Sequence, residues 1–133
     1  MRILVDCDVL LDVALKREPF LQASLEVLKW AADEPGQAAV AWHSLSSVAY
    51  ILKPDATLFI RDLLEYLEVA PVGTREARQA TSFPMKDFED ALQAACALAF
   101  DALYIVTRNL AHFRKSPIPA LSPAQFLQEV GRV

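Results

Sequence analysis

Glycine is scarce in this chain, with 3 among 133 residues. None follows a strand-like run in the spacing of a phosphate-cradling loop, which excludes the dinucleotide and P-loop fingerprints. Cysteine is nearly absent. Cys7 and Cys96 stand far apart, each inside an apolar stretch and without a His–Cys grouping. A zinc site and a disulfide framework are therefore unsupported, and both residues are expected as reduced thiols in the interior. The two histidines, His43 and His112, complete no persuasive Ser-His-Asp or Cys-His arrangement. Long apolar runs are missing too. The longest later one, residues 94–100, is much too short for a bilayer, and Asp6 breaks the N-terminal run well short of a signal-peptide core. The chain is expected to be soluble and cytoplasmic, with no membrane partner. A surplus of positive charge is also lacking, since the formal net charge is −4. No overall field attracts nucleic acid. A nucleic-acid enzyme is not thereby excluded, because bound divalent cations would offset acidity at its site.

What is present is a large apolar fraction, 54%, in a chain of ordinary domain size. Residues 1–133 are expected to form one domain with a substantial core. Strand-like and helix-like segments alternate, the pattern of an α/β fold with a mostly parallel sheet. Strands are expected at 3–5, 38–42, 67–72 and 103–106, with a possible edge strand at 117–119 between two prolines. Helices are expected at 9–15, 19–32, from Ser44 to just before Pro54, at 56–66, 74–81 and 87–100, and after Ser122-Pro123. In that last pair, serine suits the N-cap and proline the first helical position. Trp30 and Trp42 suit core or interface positions better than base stacking.

Three constellations carry candidate chemistry. The first is Ile3-Leu4-Val5-Asp6-Cys7-Asp8, a strand buried on both faces that runs straight into acid. In open α/β sheets, ligands bind beyond the carboxyl ends of the strands. Asp6 is thus either a ligand to a hard divalent metal or a cap on the next helix, and the sequence leaves both open. Asp8 reads as the cap of a helix starting near Val9, and Asp12 as a solvated or supporting acid. The second constellation is Lys86-Asp87-Phe88-Glu89-Asp90-Ala91-Leu92-Gln93-Ala94-Ala95. Asp87 suits an N-cap, and Asp90, one turn on, shares its face. Ala91, Ala94 and Ala95 would let this helix approach the sheet closely, bringing Asp90 toward Asp6. The third is Ile105-Val106-Thr107-Arg108-Asn109-Leu110-Ala111-His112-Phe113, another strand followed by polar residues. Thr107 and Asn109 can hold a water, a phosphate oxygen or a metal's surroundings, or can simply form a turn. Arg108, Arg114 and Lys115 form a local basic patch of the kind that contacts phosphates.

Together the stretches ILVDCDVLLD, KDFEDALQAACA and YIVTRNLAHF resemble the PIN domain family, the ribonuclease fold of VapC-type toxins. The closing IPALSPAQFL is similar to the tail of one subgroup, so the resemblance covers essentially the whole chain. It implies a three-layer α/β/α sandwich around a sheet of four to five strands. It also implies acids that bind Mg²⁺ or Mn²⁺ for hydrolysis of RNA. Asp6 matches the family's first-strand acid, Asp90 the acid of its Asp-Ala helix motif, and Asp87 is an auxiliary acid one turn earlier. Thr107 and Asn109 match the polar positions after the fourth strand. A small antitoxin and a homodimer are the implied partners.

Departures from the pattern are specific. The family's glutamate on the helix after the second strand is replaced at Ser47, within Ser44-Leu45-Ser46-Ser47, and acids common at the positions of Asn109 and His112 are missing. Asp6 and Asp90 remain, with Asp87, Asp8 and Asp12 as helpers. That is a set for one ion rather than for two ions about 4 Å apart. A PIN-like binding module that has lost catalysis is therefore the alternative. A third reading is a resemblance of Asp6-Cys7-Asp8 to the Asp-x-Asp of haloacid-dehalogenase-like phosphatases. The short chain and the placing of Lys86 only four residues before Asp90 count against it.

Overall fold

The computed structural model describes residues 1–132. Five short strands form one sheet: β1 (Ile3–Val5), β2 (Ala38–Val40), β3 (Glu68–Val69), β4 (Tyr104–Val106) and β5 (Ala120–Leu121). Their order is β3-β2-β1-β4-β5, and every neighbouring pair is parallel. All residues of β1 and β2 are buried, as are Ile105 and Val106 of β4. Burial on both faces is why these strands are continuously apolar rather than alternating. Among the described residues, seven helices flank them: α1 (Cys7–Ala14), α2 (Leu21–Asp33), α3 (Trp42–Leu52), α4 (Ala56–Leu63), α5 (Thr74–Ala80), α6 (Phe88–Ala99) and α7 (Pro123–Glu129). Short 3-10 turns lie at Lys53–Asp55 and Leu110–Phe113.

The two-residue period of the strands sorts the core into layers. Ile3 and Val5 pack with Val9 and Leu10 of α1, Val27 and Trp30 of α2, Val48 of α3, Leu63 of α4 and Phe126 of α7. Leu4, pointing the other way, packs with Ala94, Ala97, Phe100 and Phe113. Helix α6 covers that second face closely, because its buried side chains include Ala91, Ala94, Ala95 and Ala97, and α5 packs against α6. The architecture is the expected α/β/α sandwich.

Several local expectations are corrected. Helix α1 begins at Cys7, and its cap is Asp6, whose carboxylate accepts the Cys7 N–H at 2.7 Å. Asp8 therefore lies inside the first turn and caps nothing. Helix α3 begins at Trp42 with Ala41 at the N-cap, so Ser44 is a buried first-turn residue. The edge strand falls at Ala120–Leu121, just after the prolines. Pro119 still takes part through its carbonyl, which accepts from Ile105 N at 3.0 Å. The cap of α7 is as expected, with Ser122 and Gln125 exchanging side-chain and backbone hydrogen bonds.

One polar contact ties the α1 side of the sheet to the end of β4. Asp12 is fully buried rather than solvated. Its carboxylate takes a two-pronged bond from Arg108, Nε at 2.7 Å and a terminal nitrogen at 3.0 Å. Arg17 Nε adds a bond at 3.0 Å and Ser24 Oγ another at 3.1 Å. The Arg108 guanidinium lies 3.8 Å from the centre of the Phe20 ring. A carboxylate taken out of water persists only with such complete pairing. Urea unfolding should show Asp12→Ala losing about 3–5 kcal/mol, since two cations lose their shared partner. Arg17→Ala, which removes the more exposed partner, should cost under about 1 kcal/mol.

Candidate active site

The strand order turns back at β1, with β2 on one side and β4 on the other. A crevice opens at such a point beyond the carboxyl ends of the strands. Asp6 follows β1 and Thr107 follows β4, in a register that pairs Val5 with Val106. The two side chains meet, and Thr107 Oγ1 donates to Asp6 Oδ2 at 2.8 Å. Asp6 Oδ1 accepts from Cys7 N and from Gln93 Nε2, both at 2.7 Å. Asp6 thus caps α1 from the carboxyl end of β1, beside the end of β4.

Gln93 was not singled out by the sequence. It is the buried polar residue of α6 and lies three positions after Asp90, on the same side of the helix. Its amide reaches Asp6 and approaches Ser44 Oγ at 3.4 Å. The signal was available in principle: an amide set within an alanine face that must pack on the sheet needs a polar partner. Ser44, not Ser47, is the α3 serine of this cluster. Ser47 bonds back to the His43 carbonyl at 3.4 Å and serves its own helix.

Asp8 sits beside Asp6. Its Oδ2 accepts the Arg108 N–H at 2.9 Å and lies 3.3 Å from Thr107 Oγ1, while its Oδ1 is buried without a partner. The Thr107 hydroxyl has one proton, and Asp6 is the nearer acceptor. Two carboxyl groups thus converge on one donor. Burial, followed by the charge of Asp6, pushes the Asp8 carboxyl up to about 6. Burial also raises Asp6, against the pull of its hydrogen bonds from Thr107, Cys7 and Gln93, and the charge of Asp90 adds to the rise. Asp90 is raised by burial and then by Asp87, and its Oδ2 lies 3.3 Å from His112 Nδ1.

The remaining residues fall at the margin. Asp87 is exposed and caps α6, its Oδ1 accepting from Glu89 N at 2.8 Å and Asp90 N at 3.3 Å. Asn109 is exposed, and its side chain caps nothing. Arg108 is drawn toward Asp12 and presents its backbone, not its guanidinium, to Asp8. Both thiols are unpaired, and burial lifts Cys7 to about 12 and Cys96 to about 11, so neither is a ready nucleophile at neutral pH. Among the described residues, no three His, Cys, Asp or Glu side chains gather closely enough to hold an ion by themselves.

Solved structures share this fold. A VapBC2 assembly from Rickettsia felis bound to a promoter DNA fragment contains a chain matching with a TM-score of 0.71 at 17% identity, over 92% of this chain and 98% of that one. A toxin–antitoxin complex from Klebsiella pneumoniae matches at 0.69 and 18% identity, over 91% and 97%. FitAcB from Neisseria gonorrhoeae matches at 0.59 and 15% identity, over 92% and 98%. No curated protein matches the chain significantly by sequence. A family model described as the PIN domain spans residues 2–111, and on that match the chain belongs to the PIN domain family.

Proposed function

We propose that this chain is a metal-dependent ribonuclease that acts as the toxin of a toxin–antitoxin pair. The observation that carries the reading is Asp6, held by Thr107 and Gln93 at the point where the strand order reverses, with the charge of Asp90 reaching it. The residues fit a divalent ion of modest ligand demand. Mg²⁺ commonly keeps several waters and takes only one or two carboxylates plus substrate phosphates. Asp6 and Asp90 would supply those carboxylates, and the orphaned Oδ1 of Asp8 marks negative charge that a cation beside it would relieve. Asp87, bound to its own helix, would act only at a distance.

When bound, such an ion lowers the pKa of its water and offsets charge on the phosphodiester. The chain's own residues set the geometry. Gln93 and the Cys7 N–H hold one oxygen of Asp6 and Thr107 holds the other, which keeps one lone pair free. The Asp12–Arg108 pair holds the Thr107–Asn109 turn, and through it the Arg108 N–H on Asp8. Exposed apolar side chains on α3 and α4, including Trp42, Tyr50, Ile51 and Leu58, favour a protein partner. A small antitoxin, as in the toxin–antitoxin complexes of similar fold, and a second copy of the chain are the partners we infer. The competing reading, a binding module without catalysis, draws on the thin acid set, since Ser47 is turned away and Asn109 carries no charge. Membership of the PIN domain family sets aside the phosphatase reading. No described helix is long and apolar enough to cross a membrane.

Purified protein should cut single-stranded RNA with Mg²⁺ or Mn²⁺ and stop on chelation. Asp6→Asn and Asp90→Asn should each slow cleavage by at least about 100-fold, and Gln93→Ala by about 10- to 100-fold, the range for partners that orient a ligand. Cleavage by Asp6→Asn at the parental rate would sink the reading. The pH dependence of stability offers a second measurement. Asp8 titrates higher in the folded chain, about 6, than the ordinary 3.8 of an unfolded aspartate. The folded state then binds more protons between those values, so stability must fall as pH rises through that window. Thermal melts of metal-free protein should give a lower Tm at pH 7 than at pH 5, with Asp8→Asn flattening the difference.

A further inference from the structure

A cleft of about 460 Å³ opens beside Asp90, between the loop leading into α6 and the 3-10 turn after β4 with the residues that follow it. Its charged and polar lining is Lys86, Asp87 and Asp90 on one wall and His112, Arg114 and Lys115 on the other. The acids there are already engaged. Asp87 holds two backbone N–H groups of α6, and Asp90 faces His112 at 3.3 Å. The cations are not. Lys86, Arg114 and Lys115 are exposed, and among the described residues none of their side chains makes an ion pair or hydrogen bond. On a chain whose net charge is −4, this is a local reversal of sign. Arg108, part of the same basic run in sequence, does not contribute, because Asp12 holds its guanidinium.

We propose that this cleft is the track for the backbone of a single-stranded nucleic acid, with Lys86 on one wall and Arg114 and Lys115 on the other neutralising phosphates of the strand that passes Asp90. Unpaired cations on opposing walls suit a ligand with repeated negative charge. The volume lies in the range that encloses a small molecule or a nucleotide-sized segment. Lysine and arginine on phosphates position a strand without reading its sequence. The inference rests on the ribonuclease reading only for what happens at Asp90; the binding itself does not require catalysis.

The test is fluorescence anisotropy of a fluorescein-labelled 12-nucleotide oligouridylate, in EDTA so that nothing is cut. Three phosphate contacts on a single strand predict a slope of about −2 for log affinity against log salt, at about 0.7 per contact. The variant Lys86→Ala/Arg114→Ala/Lys115→Ala should bind about tenfold or more weakly at 50 mM salt, with a slope near zero. Its Tm should be unchanged, because the three side chains are exposed and unbonded. Lys16→Ala/Lys53→Ala/Arg61→Ala removes the same charge elsewhere and should bind like the parent. Equal weakening of both triple variants, or no binding by the parent, overturns the proposal. So does an oligoglutamate peptide that binds as tightly and loses the same factor, because the cleft would then be a peptide site. Binding lost only in the cleft variant, without cleavage in Mg²⁺ or Mn²⁺, supports the track and ends the ribonuclease reading. Cleavage with unchanged KM in the cleft variant does the reverse.

Discussion

The parallel pairing of β1 with β4 is the constraint on which the rest depends. Ile3, Leu4 and Val5 stand opposite Tyr104, Ile105 and Val106, so the next residues on each strand, Asp6 and Thr107, emerge side by side. They lie 101 positions apart in the chain. Slipping the register by one residue would turn Ile3 and Val5 away from the α1–α2 core and separate the carboxylate from its hydroxyl partner. The buried apolar faces therefore fix the geometry of the crevice as well as the stability of the sheet.

Charge is distributed around that crevice in a graded way. Asp12, the most buried acid, has two guanidiniums and a hydroxyl. Asp6 has three hydrogen-bond donors and no cation. Asp8 has one firm donor and one bare oxygen. Deepest burial thus coincides with fullest neutralisation, and the least compensated acids, Asp6 and Asp8, lie at and just after the carboxyl end of β1. Unsatisfied buried polar atoms are rare in folded chains and tend to mark functional places. The proposed ion and the proposed phosphate track answer the same imbalance from opposite sides, one cancelling the carboxylates and the other the unpaired lysines and arginine.

Much of this was legible in the chain itself. The run Ile3-Leu4-Val5 marks a strand buried on both sides, and the acid after it marks its carboxyl end. The alternation of strands and helices gives the layers, because each apolar face has to be covered. Asp87 and Ser122 announce helix starts, since their side chains satisfy N–H groups within the same turn. The alanine face of α6 correctly implied close packing on the sheet. These are local or periodic properties, and sequence carries them directly.

Partner choice across long separations is a different matter. Asp6 rather than Asp8 caps α1, Asp12 is the buried anchor rather than a solvated acid, and Arg108 turns inward to it. Gln93 and Ser44 join the cluster, while Ser47 does not. Nothing in the spacing of these residues distinguishes them, because each outcome depends on which face of one element meets which face of another. The sequence by itself determined the layers, the strand that carries Asp6 and the helix that carries Asp90. Only the tertiary structure decided which polar groups meet, because a buried charge takes whatever partner the packing of the apolar core leaves within reach.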